Sequence, residues 1–295
     1  MSLPSCILPN TTYMLTRRCI GRRFLLRPDG AINNIFTYCL ALAAEKYGIE
    51  IHAASVMSNH YHLILTDVRG VLPDFTAWLN RQLAVCVKRL RDWDEVVWEP
   101  NVHCSVVELA GAAEVLDKVA YVLLNPVSAG LVRSPRQWLG VVTTLRTLRR
   151  GTLEAKHPKV WFRNNAQESA TVRLTTPPCF ADQGDYCNAL ERLLASRLAE
   201  ARRSMRRQGK SYLGRTRVCK TVVTDRPITK KERFGRSPTF SALTRSQWLA
   251  AVKKLRAFRV AYRTAYEAWR SGEQNVEFPL GTWWVVRRAG AVVCT

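Results

Sequence analysis

Acidic residues are scarce in this sequence of 295 residues: 23 Asp and Glu stand against 45 Lys and Arg, which gives a formal net charge of +22. A chain of this size with such an excess of one sign repels itself unless a polyanion is its usual neighbour. Nucleic acid is the first candidate. A ribosome-associated protein and a protein adsorbed on an anionic membrane are the alternatives, and charge alone does not separate an enzyme from a binder.

Paired cysteine motifs are absent as well, although the sequence has nine cysteines. The cysteines are scattered, their number is odd, and several lie inside apolar runs such as residues 84–87. This distribution argues against a disulfide framework and against a zinc ribbon. It predicts reduced, mostly buried thiols in a cytoplasmic protein.

Long hydrophobic runs are also missing. The N-terminal region has no apolar stretch followed by a small-residue cleavage site, and nowhere do about eighteen uncharged apolar residues follow one another. We therefore expect a protein that is neither exported nor membrane-spanning. The hydrophobic content of 47% nevertheless predicts at least one sizeable core.

The first half of the chain alternates between strand and helix patterns. Strands are expected at 11–20, 49–58, 60–66 and 104–109, and helices at 32–47, 73–93 and 112–124. The order β-α-β-β-α-β, followed by a further helix, predicts an α+β domain over residues 1–142. Its expected core is a ferredoxin-like antiparallel sheet with helices on one face.

The second half, residues 143–295, is predicted to be a folded, basic and mainly helical extension of unknown role. Helices are expected at 186–205 and 246–269, and a short strand pair at 278–294. Between residues 201 and 220 there are eight Lys or Arg and no acid. An acid-free run of this length points to an interaction surface more than to a solubility device.

Two histidines lie two positions apart in the segment Asn59-His60-Tyr61-His62. On a strand, both imidazoles then project from the same face of the sheet. Two nitrogen ligands on one rigid strand provide half of a metal site. A chance alternation on a solvated strand face is the alternative, because the motif is short.

A second motif is Tyr121-Val122-Leu123-Leu124-Asn125-Pro126-Val127. Tyr121 and Asn125 are four residues apart and share one helix face, and Pro126 is expected to stop the helix directly after them. Taken singly, either residue could be an ordinary helix residue. Their occurrence after a two-histidine strand favours a joint role.

Together the two motifs resemble those of the single-tyrosine HUH transposases, within them the bacterial REP-associated and related IS200-like transposases. The signatures of that family are a His-hydrophobic-His strand preceded by Asn or Glu and a Tyr-x-x-x-Asn-Pro-Val helix, and the resemblance covers about residues 10–140. One departure is Tyr61 in place of an aliphatic residue between the histidines. That side chain is expected to face away from the metal.

The resemblance implies an HUH endonuclease fold and a transposase that cleaves and rejoins single-stranded DNA at hairpin-associated sites. It implies Tyr121 as the nucleophile that forms a 5′-phosphotyrosine, and His60, His62 and Asn125 as ligands of Mg²⁺ or Mn²⁺. A zinc site completed by His103 or Cys104 is an alternative that the usual pattern of structural zinc does not favour. The protein would work in the bacterial cytoplasm at the nucleoid, with no membrane partner.

The implied partner is single-stranded DNA with hairpin or palindromic ends, and the family includes both homodimers and monomers. Candidate phosphate contacts are the basic residues near the first strand, on the long helix and in the acid-free run: Arg17, Arg18, Arg22, Arg81, Lys88, Arg202, Arg203, Arg206, Arg207 and Lys210. Ordinary surface charge is the alternative for each of them. A catalytically idle nucleic-acid-binding protein and an HUH replication-initiator nickase are the alternative functions.

Overall fold

The chain folds into an α+β structure, seen here in a computed structural model that describes residues 4–100, 104–160, 162, 167–228 and 238–293. The strands are β1 (Thr11–Arg18), β2 (Ile49–Met57), β3 (His60–Asp67), β4 (Ser105–Leu109), β5 (Thr152–Lys156), β6 (Ser169–Arg173), β7 (Phe240–Ser241), β8 (Glu277–Phe278) and β9 (Val292–Val293). The helices are α1 (Gly30–Tyr47), α2 (Leu72–Arg91), α3 (Ala112–Ser128), α4 (Leu145–Arg150), α5 (Gln183–Arg207), α6 (Arg215–Lys220), α7 (Arg245–Arg270) and α8 (Trp284–Ala289).

The central sheet has five strands in the order β2-β3-β1-β4-β7. Its first three pairings are antiparallel, and β7 joins the edge strand β4 in parallel. The predicted order of elements in the first half, from β1 through α1, β2, β3 and α2 to β4, is the observed one. The long pairing of β1 with β3 places Thr16 opposite His62 and Arg18 opposite His60.

Helices cover both faces of this sheet, so the expectation of helices on one face is wrong. On β3, Tyr61 packs edge-to-face on Phe36 of α1 and donates a hydrogen bond to Asn80 of α2. The next residue, His62, points the other way and contacts α3. Helix α3 is apolar around most of its circumference because it lies between the sheet and α5, and both sides of it are buried.

Helix α3 also runs one turn further than predicted, through Pro126 to Ser128. A proline lacks the N–H for one helical hydrogen bond and crowds the carbonyl four residues before it, but it leaves the N–H groups of the following residues free to bond. The ladder resumes after it, since the backbone N–H of Ala129 donates to the carbonyl of Asn125 at 2.9 Å. The turn that follows uses Gly130, whose φ of 70° favours glycine.

The hydrophobic core continues beyond residue 142. Side chains of α4, of the β5-β6 hairpin and of α5 join the same buried cluster as the central sheet; they include Leu148, Ala155, Ala170, Val172, Tyr186 and Leu190. Helix α5 packs along α3, and a separate small cluster of Ala265, Phe278 and Val285 links α7, β8 and α8. The division at residues 142 and 143 stays a prediction. Among the described residues no helix is both long and apolar enough to cross a bilayer.

Candidate functional site

A two-residue turn fixes the start of the histidine strand. Met57 at the end of β2 pairs with His60 at the start of β3. The carbonyl of Ser58 accepts a hydrogen bond from the Leu26 N–H at 2.9 Å, and the carbonyl of Asn59 accepts one from the Cys19 N–H at 2.8 Å. The turn is thereby tied to the segment that follows β1, which holds this end of β3 in place.

The hydrogen bonds of His62 define its tautomer. Its Nδ1 lies 2.7 Å from the Thr16 hydroxyl of β1, and its Nε2 lies 3.2 Å from the amide nitrogen of Asn125. An amide nitrogen only donates, so Nε2 is the acceptor and the proton sits on Nδ1, which donates to Thr16. The lone pair of His62 therefore faces α3.

His60 is oriented in the same way by its neighbour Asn59. The Asn59 amide nitrogen donates to the carbonyl of Arg22 at 3.0 Å, so the amide oxygen faces the ring and accepts from His60 Nδ1 at 2.7 Å. The two imidazole centres are 4.7 Å apart. Both rings thus carry their unprotonated nitrogen at Nε2, the arrangement in which a partner on Nδ1 orients a metal-binding histidine.

Helix α3 brings a phenol and an amide to these rings. The ring of Tyr121 stands edge-to-face to that of His62, with 5.5 Å between their centres, and Asn125 lies on the next turn. Asn125 is buried, whereas Tyr121 is 48% exposed. The four side chains singled out from the sequence therefore lie together within one chain, while their roles stay predictions.

Burial, helped by nearby charges, keeps both histidines neutral. Burial, and to a smaller extent the charge of Arg18, lowers the pKa of His60 to about 4. Burial, the neighbouring His60 and Arg18 together lower the pKa of His62 well below its ordinary value. Near pH 7 both rings are then in the neutral form that binds metal ions.

The donor set fits a divalent cation with open coordination positions. The Nε2 of His62 faces the Asn125 carboxamide, and the ring of His60 lies 4.7 Å from that of His62, centre to centre. A half-turn of the Asn125 amide would present its oxygen where its nitrogen now lies. No cluster of three or more His, Cys, Asp or Glu suited to a metal occurs in the part of the chain that the structure describes. Cys104 accepts a hydrogen bond from Asn80 on the opposite face of the sheet, and His103 lies outside the described residues.

The predicted phosphate contacts divide according to the face of the sheet. Arg18 is exposed on the histidine face, whereas Arg17 lies over the ring of Trp98, which packs on Tyr61 of the other face. Arg81 and Lys88 belong to α2, also on that other face. The guanidinium of Arg22 donates to the carbonyl of Pro227 at 2.9 Å.

The acid-free run lies on the histidine face, because α5 packs along α3. It comprises the end of α5 and the following residues, among them Arg202, Arg203, Arg206, Arg207 and Lys210. Arg202 donates to the carbonyl of Arg133, while Lys210 lines a groove that also contains Tyr121. Nothing in the sequence indicated that this run would lie near the tyrosine.

Sequence reasoning missed Thr16 and left Asn59 without a role. Thr16 could have been found only from the register of β1 against β3, which places it opposite His62. Asn59 was visible as the residue before the first histidine, but its role depends on the Arg22 carbonyl at the end of a different loop. Both residues orient an imidazole through Nδ1.

Comparison with known proteins adds two solved structures. A scan against protein-family models finds no match, and neither does a search of curated proteins. A REP-associated tyrosine transposase bound to a REP hairpin aligns over 58% of this chain and 96% of its own, with 19% identity and a TM-score of 0.42. A protein from Deinococcus radiodurans R1 assigned as a transposase aligns over 39% and 88%, with 21% identity and a TM-score of 0.30. These likenesses describe partial similarity of shape and assign no role to a residue.

Proposed function

We propose that this protein is a metal-dependent transposase that cleaves and rejoins single-stranded DNA at hairpin-associated sites, with Tyr121 as nucleophile. The observation that carries the proposal is an exposed phenol 5.5 Å, centre to centre, from a buried neutral histidine, beside a second histidine and an amide. The net charge of +22 suits a polyanionic substrate. The strand order β2-β3-β1-β4 is in keeping with a ferredoxin-like HUH endonuclease fold.

In the proposed reaction the phenol oxygen of Tyr121 forms a bond to the phosphorus of a phosphodiester, and the bond from phosphorus to the 3′-oxygen breaks. The phenol proton passes to solvent, and the departing 3′-oxygen takes up a proton. The 5′-phosphate stays on the tyrosine. One phosphoester replaces another without oxidation or reduction, so a 3′-hydroxyl can reverse the step and rejoin a strand.

His60, His62 and Asn125 would hold Mg²⁺ or Mn²⁺, which supplies Lewis-acid stabilisation of the charge that develops on the phosphate oxygens. Thr16 and Asn59 keep the Nε2 atoms of the two rings available by accepting hydrogen bonds from Nδ1. Arg18, exposed opposite His60 on the same face, provides a positive charge for the phosphate.

The test is a covalent-adduct assay with hairpin-forming single strands copied from the DNA that flanks the gene. Wild-type protein with Mg²⁺ should give a band that stays shifted on a denaturing gel. Tyr121→Phe removes one hydroxyl and should abolish that band while DNA binding is retained. Tyr266→Phe, which removes a hydroxyl from α7, is the matched control and should form the adduct as wild type does.

An adduct that persists undiminished in Tyr121→Phe would show that another residue is the nucleophile. Binding without any adduct, with every flanking hairpin tried, would favour an idle nucleic-acid-binding protein. Cleavage at a replication origin rather than at such hairpins would favour a nickase.

A further inference from the structure

A groove of about 950 Å³ opens beside Tyr121, between α3 and α5. Its two walls come from one face of each helix. The α3 wall includes Asp117, Tyr121, Leu124 and Ser128, and the opposite wall includes Arg197, Ala201 and Ser204 of α5 with Gln208 directly after it. Spacings of four, three and four residues keep each row on a single helix face. The candidate nucleophile therefore lies within one wall of the groove.

We infer that this groove binds the stretch of single-stranded DNA next to the phosphodiester that Tyr121 attacks. The inference rests on the proposed function and adds to it a binding site built by the second half of the chain. A volume of about 950 Å³ is at the upper end of the range for ligand sites, which suits a few nucleotides rather than one small molecule.

The charge of the groove fits a backbone of phosphates. Two acids line it, and one of them, Asp117, is neutralised by Arg197 at 2.8 Å and by Lys118 at 3.1 Å. Glu200 is the other acid, so the three cations Lys118, Arg197 and Lys210 leave a positive balance. The acid-free end of α5 extends this potential beyond the groove.

The groove also offers apolar surface for bases. Leu124 and Met205 line it but are largely buried, so the exposed ring of Tyr121 is the aromatic surface that a base could meet. Nucleic-acid sites that accept single strands combine cations along the backbone with apolar or aromatic platforms for the bases. The same combination occurs here.

The packing of the two helices selects a single strand over a duplex. Helices packed side by side have axes about 8–10 Å apart. Small residues, Ala120 and Ala201, line the groove between them. A duplex, whose major groove alone is about 12 Å wide, is too large to enter a groove between two such helices.

A steric variant tests the groove with a fluorescein-labelled oligo-dT of about 20 nucleotides and fluorescence anisotropy. Ser204→Trp puts a bulky side chain into the groove and should weaken binding by about tenfold, as expected when a strand is obstructed there. Ala199→Trp adds the same side chain to the exposed opposite face of α5 and should bind within about twofold of wild type. Circular dichroism and thermal melting confirm that both variants fold.

A charge variant tests the same site without a bulky side chain. Lys210→Glu and Lys253→Glu change the net charge equally, and both positions are exposed. Lys210 lines the groove, whereas Lys253 lies on α7 and is not among the groove residues. Lys210→Glu should reduce the slope of log affinity against log salt by about 0.7, the value for one phosphate contact on a single strand. Lys253→Glu should leave that slope unchanged.

Groove variants that bind oligo-dT no worse than their controls would overturn the inference, whatever the adduct assay gives. A second outcome separates the groove from the chemistry. If Ser204→Trp and Lys210→Glu lose binding while their controls do not, and the wild-type protein forms no adduct, the groove is supported and the proposed chemistry is contradicted. If an unlabelled duplex displaces the labelled oligo-dT as well as an unlabelled single strand does, the assignment to single strands would also be overturned.

Discussion

Acid is expected to destabilise this protein through a histidine outside the candidate site. His52 of β2 is completely buried. Its Nδ1–H donates to the carbonyl of Thr175 at 2.9 Å, and its Nε2 accepts from the hydroxyl of Thr66 at 2.8 Å. Burial lowers the pKa of His52 to about 4. The ring thus joins β2 to β3 and to the end of the β5-β6 hairpin in its neutral form.

The size of the effect follows from that pKa. An unfolded histidine has a pKa of about 6.5, so between pH 6.5 and 4 the unfolded chain binds a proton that the folded chain does not. The contribution of the neutral ring to the free energy of unfolding is fully present above about pH 6.5 and is lost as the pH falls. The loss reaches about 3 kcal/mol near pH 4, where the folded ring begins to take up a proton too.

Urea unfolding of His52→Asn between about pH 8 and pH 4.5 measures this contribution. At pH 8 the variant should be less stable than wild type by about 1–3 kcal/mol, because a buried hydrogen bond is lost. The deficit should shrink or reverse on acidification, since asparagine has no proton to exclude. His60 and His62 remain in both proteins and cancel in the comparison.

Thr143→Val is the matched control. It removes a buried hydroxyl that accepts a hydrogen bond from the Ala54 N–H on the same strand as His52. Its stability should run parallel to that of wild type at every pH. If His52→Asn also ran parallel to wild type, the reasoning from the buried neutral ring would be refuted.

Further substitutions test residues that support the site: Asn59, which orients His60, and Gly140, which packs against Trp138. Asn59→Ala should weaken Mn²⁺ binding, measured by calorimetry, by about 10–100-fold. Asn59→Asp keeps the accepting oxygen and should retain most of that affinity. Unchanged affinity in the alanine variant would show that Asn59 does not orient its histidine. Gly140→Ala should lower the melting temperature by several degrees. The added Cβ would lie 2.5 Å from Trp138 Nε1 and 2.7 Å from the Val56 carbonyl oxygen, and it would disturb the hydrogen bond between these two groups. At Gly30 an added Cβ meets nothing within 4 Å, so a similar loss of stability in Gly30→Ala would contradict the steric explanation.

The sequence was most informative where a period of two or of 3.6 residues sets the direction of a side chain. Alternation on a strand was enough to predict that Tyr61 points away from the two histidines, and it packs on Phe36 and Trp98. Helical spacing was enough to put Tyr121 and Asn125 on one face. These are local relations, and they hold wherever the element lies in the fold.

Relations between distant segments could not be predicted in this way. Helix α3 is apolar on most sides, so its sequence does not indicate which face of the sheet it covers. The β5-β6 hairpin has short strands with few large apolar residues, and its pattern was too weak to recognise. The groove beside Tyr121 depends on the packing of α5 against a helix far away in the chain.

The most direct test of the proposed chemistry is to map the covalent bond. Wild-type protein would be incubated with Mg²⁺ and the flanking hairpin strand, digested with protease and nuclease, and analysed by mass spectrometry. We expect a nucleotide linked through its 5′-phosphate to the peptide that contains Tyr121. A nucleotide on any other residue, or a linkage through a 3′-phosphate, would contradict the assignment.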